Sequence, residues 1–377
     1  FAWVWKIFGK TAGFFTGWTL LILCCIFMVS ATVPAGNALL LVFAPELVND
    51  VNWVTAISAL LLTGVSAIVL KWIKLTSYAQ IVLTIIEAII LFLIIILWFY
   101  HFSQSPVHPF SWSWFSPFEF DMSTFVQWAL ISIFFYYGWD VTMNLAEETK
   151  DPQNTPGKAT FWSMIFLISF FLMFSVLILL GLSDKEIEEY NTNIIFALAE
   201  KVLGKELGYV AIIAVLLSTV WTIETQIIQF TRTLFAKSRS WVFHERYSRI
   251  HEKWQTPHIA IFFIWITGMV FLFASSYLPS VNNILQVSIS AMGYQICFYL
   301  GLTGFACAWY FRNLLKEKFY KWIIFVLWPF FSALFLTFVL LYSILDADRI
   351  TNIIWLGGIF IGVVPFLFYK IRKEIKE

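Results

Sequence analysis

Three carboxylates stand where carboxylates are rare. Glu87, Asp140 and Glu224 each fall in the middle of a long apolar run, where an ionisable group needs a partner, a wet cavity or a function. Asp140 closes the stretch Phe134-Phe135-Tyr136-Tyr137-Gly138-Trp139-Asp140. A glycine at that point lets a helix open its backbone to a ligand. Freed amides and carbonyls would meet a ligand's charged ends, and Phe135, Tyr136, Tyr137 and Trp139 would supply apolar and cation–π walls. The same run also fits a glycine kink with a buried Asp bonded to a neighbouring helix.

Helical spacing says what accompanies each acid. Ser77, Gln80, Thr84 and Glu87 follow i, i+3, i+7, i+10, and Tyr137, Asp140, Asn144 and Glu147 repeat that spacing. Ser218, Thr222, Thr225 and Gln229 follow i, i+4, i+7, i+11. Three helices with one polar edge each predict a shared wet interior. Glu224 stands apart, ~200° from Thr222 and ~100° from Thr225 at ~100° per residue. Its carboxyl fits a bond to another helix as well as it fits a functional role.

Such edges need membrane spans to position them. The chain is 60% hydrophobic and only 12% charged, with mean hydropathy +0.81, against about 45–50% and about 25% in soluble domains. Apolar runs of about 20 residues predict ten spans, near 11–43, 52–70, 78–100, 123–146, 159–182, 207–236, 257–279, 283–311, 319–345 and 351–370. The first is longer than a span needs, and Pro34 with Gly36 is expected to kink it or its last turns to leave the bilayer. The chain opens on Phe1, so the natural protein is expected to begin earlier.

Loop charges orient the spans. Twenty of the 24 Lys and Arg fall on one side of this arrangement, leaving Lys185, Lys201, Lys205 and Arg349 on the other. Both ends of the sequence are therefore expected on the cytoplasmic side of the cell membrane. Residues 101–121 read as an outer aromatic belt and 183–206 as an acidic outer loop. The inner loop at about 237–256 interleaves basic and aromatic residues and reads as an amphipathic segment lying on the membrane face.

The remaining chemistry is sparse. His101, His108, His244, His251 and His258 all lie in or beside loops, so none is placed to ligate haem or metal within the bundle. H-E-x-x-H, P-loop and G-x-S-x-G motifs are missing, which disfavours an enzyme. Cys24, Cys25, Cys297 and Cys307 sit in apolar runs and read as small buried hydrophobes. Charges beneath a bilayer mainly set topology, so nucleic acid is not an expected partner.

Tyr137-Gly138-Trp139-Asp140, followed by Ala146-Glu147-Glu148-Thr149-Lys150-Asp151-Pro152 and Asn154-Thr155-Pro156, resembles the sixth helix and following turn of amino acid–polyamine–organocation (APC) permeases. Thr231-Arg232-Thr233-Leu234-Phe235-Ala236, Arg239, Arg249-Ile250-His251 and Thr256-Pro257 resemble the end of that family's eighth helix and its inner loop. Phe8-Gly9 through Gly17-Trp18 is similar to the start of its third. The resemblance implies an all-α integral membrane protein with the LeuT-type inverted-repeat fold, its ten spans being family helices three to twelve and the first two absent. The chain would then be one polytopic domain. Residues 11–100 would be the remainder of the first repeat, 123–311 the second repeat, and 319–370 two added C-terminal helices.

It also implies a secondary transporter importing amino acids or related amines by alternating access, coupled to protons. The expected substrate-binding residues are Phe135, Tyr136, Tyr137, Gly138, Trp139, Asp140, Thr225 and Gln226. Glu87, Thr222 and Glu224 are the candidates for ion or proton coupling. Some family members carry a lysine midway along the fifth helix. Aligning Leu75-Thr76-Ser77 with that helix's start puts Glu87 at or near the lysine position, where a carboxyl would take up a proton or help hold a cation. No cofactor or metal is implied, a proton or sodium gradient being the driving force. A polyamine or cationic amino acid transporter is the nearest alternative. From another class, a nutrient sensor or a subunit of a larger membrane complex fits less well.

Overall fold

The computed structural model describes residues 2–374 apart from 103–104, 147–148, 191–192, 240–242, 317–318 and 347–348. Side chains at 72–79, 101–102, 205–207, 210, 215, 315–316 and 369–374 are also outside the description. Two members of the predicted polar edges, Ser77 by its side chain and Glu147 altogether, thus lie outside the described residues.

All regular structure among the described residues is helical. The long elements are α1 (Ala2–Phe43), α2 (Val51–Phe102), α3 (Met122–Phe135) with the short α4 (Val141–Asn144), and α5 (Thr155–Gly181). Two small helices, α6 (Asp184–Tyr190) and α7 (Ile194–Leu203), precede α8 (Lys205–Arg239), α9 (His258–Ser275) and α10 (Val281–Phe311). The chain ends with α11 (Phe319–Trp322), α12 (Trp328–Asp346), α13 (Arg349–Ile361) and α14 (Val363–Glu374).

Among the described residues nine helical stretches are long and apolar enough to cross a membrane. Two belong to α2, Val51–Lys71 and Gln80–Tyr100. Straight, at ~1.5 Å per residue, α2 would reach ~78 Å, more than twice the ~30 Å of hydrocarbon. Its parts pack separately. Leu62, Val65 and Val69 enter the central core, whereas Ile94, Ile95 and Trp98 pack with Phe174, Leu177 and Leu198.

Residue size decides which helices are central. The apolar stretch of α1 is 83% buried and that of α10 72%, against 17% for α5. α1 carries Gly13, Gly17, Ser30, Ala31, Ala35 and Gly36 along its length, and small residues let neighbouring backbones approach closely. A Cβ on Gly36 would sit 2.5 Å from Ser58 Oγ. α5 is mostly Phe, Leu and Ile, with Phe161, Trp162 and Phe166 turned outward.

The geometry bears on three local expectations. α1 leaves helical space at Gly9, whose φ is 86°, ahead of the predicted first span, and Pro34–Gly36 stay helical. The fourth span is interrupted within 123–146, as the resemblance implied and apolar continuity did not. Among the described residues of the segment at about 237–256, α8 runs to Arg239 and a 3₁₀ turn covers Glu245–Ser248. Phe243 and Tyr247 turn inward onto the core, Phe243 stacking on Phe14 and Trp18.

Candidate functional site

The interruption between α3 and α4 builds the site. Tyr136 caps α3 with φ −88° and ψ 1°, and Gly138 takes φ +116°. L side chains rarely adopt that backbone, so glycine permits the turn. Asp140 is consequently carried inward, 8% exposed. Its Oδ2 accepts from the Tyr299 hydroxyl at 2.9 Å and from Gln229 Nε2 at 3.1 Å. Gln229 Oε1 in turn accepts from the Tyr137 hydroxyl at 3.3 Å, and the Tyr137 and Tyr299 rings meet edge to face. Hydrogen bonds to a charged group are worth about 1.5–3 kcal/mol each, so this network fixes the carboxylate firmly. Asp140 Oδ1 is buried with no hydrogen-bond partner among the described residues.

Asp140 lines a cavity of about 730 Å3. Trp139, Met143 and Asn144 contribute from its own segment, and Tyr299 and Thr303 from α10. Ala2, Trp3 and Arg239 place the cavity on the side that carries most of the basic residues, with Arg232 also in the wall. Arg232 and Arg239 are seven residues apart on α8 and share a face. Among the described lining residues the cavity therefore pairs one acid with two permanent cations, a distribution suited to a zwitterion.

A second polar seam joins α8 to α2. Gln80 Nε2 donates to Thr225 Oγ1 at 3.3 Å, and Glu87 is hydrogen-bonded to Ser218. The pairs are offset by seven residues on each helix and run in opposite directions, so two of the predicted edges face each other in antiparallel register. Thr84 and Thr222 between them are exposed, and Thr222 donates back to the Ser218 carbonyl.

The predicted residues thus fall into groups. Trp139 and Asp140 line the cavity, Gly138 makes its turn, and Tyr137 reaches it through Gln229. Phe135 and Tyr136 instead pack on Phe171 of α5. Thr225, Thr222 and Glu87 belong to the α2 seam. Gln226 accepts from the Cys24 thiol, and Glu224 is buried at 3% exposure. Tyr299, Thr303 and the arginine pair were not foreseen as site residues. Gln295, Tyr299 and Thr303 stand at i, i+4, i+8 on α10, a polar edge without an acid to draw attention to it.

A many-span helical bundle interrupted at Gly138, with a fixed carboxylate lining a cavity there, has the architecture of a polytopic membrane protein with an internal polar site. The family model for amino acid permeases matches residues 1–365, and the chain belongs to that family. It is 22% identical over 172 residues to the serine/threonine exchanger SteT of Bacillus subtilis, covering 45% of this chain and 39% of that protein. It is 25% identical over 299 residues to the human large neutral amino acids transporter small subunit 2, covering 75% and 53% respectively. The chain thus matches about two fifths of the first relative's length and just over half of the second's.

Proposed function

We propose that this protein carries amino acids across the cell membrane by alternating access, with the basic side cytoplasmic. One observation carries the reading: a free, buried Asp140 oxygen at the end of a cavity whose wall holds Arg232 and Arg239. The substrate ammonium would meet Asp140 and the unwound backbone at Gly138, and its carboxylate would face the arginines. Two fixed cations in the wall disfavour a polyamine, which brings two or more positive charges. The relatives, one named for serine and threonine and one for large neutral amino acids, support a neutral amino acid as cargo.

Coupling belongs to the other seam in this reading. Glu87 exchanges a proton with the half-open groove between α2 and α8, and Thr222 and Thr225 face that groove. We also infer an inverted repeat, with 11–100 the remainder of one half, 123–311 the other, and 319–370 two added helices. The test is uptake of labelled amino acids into proteoliposomes holding the protein, at two pH values with and without sodium. Saturable uptake of a neutral amino acid, stimulated by an inward proton gradient and not displaced by putrescine, is the expected result. Displacement by putrescine but not by neutral amino acids would sink the assignment.

A further inference from the structure

A second cavity, of about 330 Å3, lies between α3, α10, α12 and the start of α13. This is at the small end of the range for ligand sites, about 300–1,000 Å3. Among the described residues Asp346 is the one carboxylate that lines it, and no basic residue does. Ser123 Oγ donates to Asp346 Oδ2 at 2.7 Å and Gln127 Nε2 at 3.1 Å, which aims the carboxylate. Asp346 is also the last residue of α12, where the helix dipole adds negative potential.

The second observation is Ser343, three residues earlier and 6% exposed. Serines and threonines in these helices commonly donate to the carbonyl four residues back, as Thr337 and Ser238 do. Ser343 Oγ does not: it lines the cavity with no hydrogen-bond partner among the described residues. Burying a hydroxyl without a partner is destabilising, and a donor-bearing ligand would offset part of that loss. Ser290 and Gln286 add further polar groups, while Leu130 and Ile289 form an apolar wall.

We propose that this cavity is a second binding site, separate from the Asp140 cavity, for a small organic ammonium compound with a short apolar tail. The ammonium sits against Asp346 with Ser343 as a further acceptor, and the tail lies along Leu130 and Ile289. The two cavities share only α10, with Tyr294 in one and Tyr299 in the other.

A site-local readout separates it from the transport site. A Ser290→Cys variant in lipid nanodiscs is reacted with a small thiol reagent, the parent protein giving the background. Titrated n-butylammonium is expected to protect the new thiol saturably, whereas n-butanol and butyrate are not. Asp346→Asn in that variant should raise the half-protecting concentration about tenfold or more, as loss of a charge-assisted contact does. Ile131→Trp, which fills the cavity without touching the acid, should do the same, and Asp140→Asn should leave protection intact. Absent protection, equal protection by n-butanol, or protection lost with Asp140→Asn but kept in both other variants overturns the proposal. Failure of amino acid uptake leaves this readout unaffected.

Discussion

Helix α8 makes two polar contacts that use the same side-chain chemistry in different surroundings. Toward α10 and the broken helix, Gln229 is fully buried and joins Asp140, Tyr299 and Tyr137 in a closed network. Toward α2, Thr225 and Ser218 meet Gln80 and Glu87 singly, with exposed threonines between. A closed network strengthens each bond in a low dielectric and makes any missing partner costly. An open seam tolerates change, because water replaces what a substitution removes. The proposed division, recognition at the first contact and proton exchange at the second, rests on this contrast.

The sharpest way to break this division is Asp140→Asn. Removing the charge that faces a substrate ammonium in a buried site should cost about 3 kcal/mol or more, roughly 100-fold in apparent affinity. Substrate binding to the purified protein measures it, and unchanged affinity removes Asp140 from the site. Tyr299→Phe deletes one donor to the same carboxylate and keeps the ring. Affinity should fall about tenfold, from ~1.5 kcal/mol for a bond to a charged group, and the unfolding midpoint should drop as well, because the buried carboxylate loses one of its two side-chain donors. A fall as small as that of a seam threonine would erase the difference between the two contacts.

Glu87→Gln tests the open side. The amide keeps a partner for Ser218 but cannot carry a proton. Uptake driven by a pH gradient should drop severalfold or more while exchange of substrate for substrate continues. Equal loss of both activities would make Glu87 a structural residue, and the seam would then resemble the closed network in kind.

Much of this division was legible in the residue order. The edges at Gln80–Glu87 and Ser218–Gln229 follow from helical period alone, and the structure brings Ser218 and Thr225 into register with Glu87 and Gln80 while Gln229 turns to Asp140. Period could not say which edge meets which, because that depends on how α2 and α8 cross. Gly138 marked a possible opening, yet the same residues fit an unbroken kinked helix. Apolar continuity over 123–146 favoured the continuous form, and the family resemblance favoured the broken one. Phe135 closes α3 and Tyr136 caps it, so both rings still follow the helix and pack on Phe171, and the inward turn begins only after them. Tyr299 was hidden by chemistry: an uncharged hydroxyl in an aromatic-rich helix carries no cost that composition reveals. The arginines were assigned to topology, and nothing in spacing tells a charge that sets orientation from one that also lines a cavity.

Glu186 gives the smallest and most discriminating contrast, because it shares Asp140's wealth of donors but is partly open to solvent. Its Oε2 accepts from the Ser183 amide and hydroxyl and from Lys201, and Oε1 pairs with Lys201 at 2.8 Å. Lys201 also donates to the Gly181 carbonyl, tying the end of α5 to α7 across α6. The Lys201 bond first, then the Ser183 bonds, hold the Glu186 carboxyl down at about 2. Since folding lowers this value, the charged form stabilises the fold above the ordinary carboxylate range near 4.5, and that contribution fades as pH falls through about 2. The gap in unfolding midpoint between wild type and Glu186→Gln should therefore be present at pH 7 and shrink in acid. An exposed pair of this kind is worth about 0.2–1 kcal/mol, so the gap should be small even where it is largest, and high salt should narrow it further. A gap at pH 7 as large as that of a buried-network variant would mean that donor count, and not burial, sets the strength of these contacts, and the distinction between the two sides of α8 would lose its physical basis.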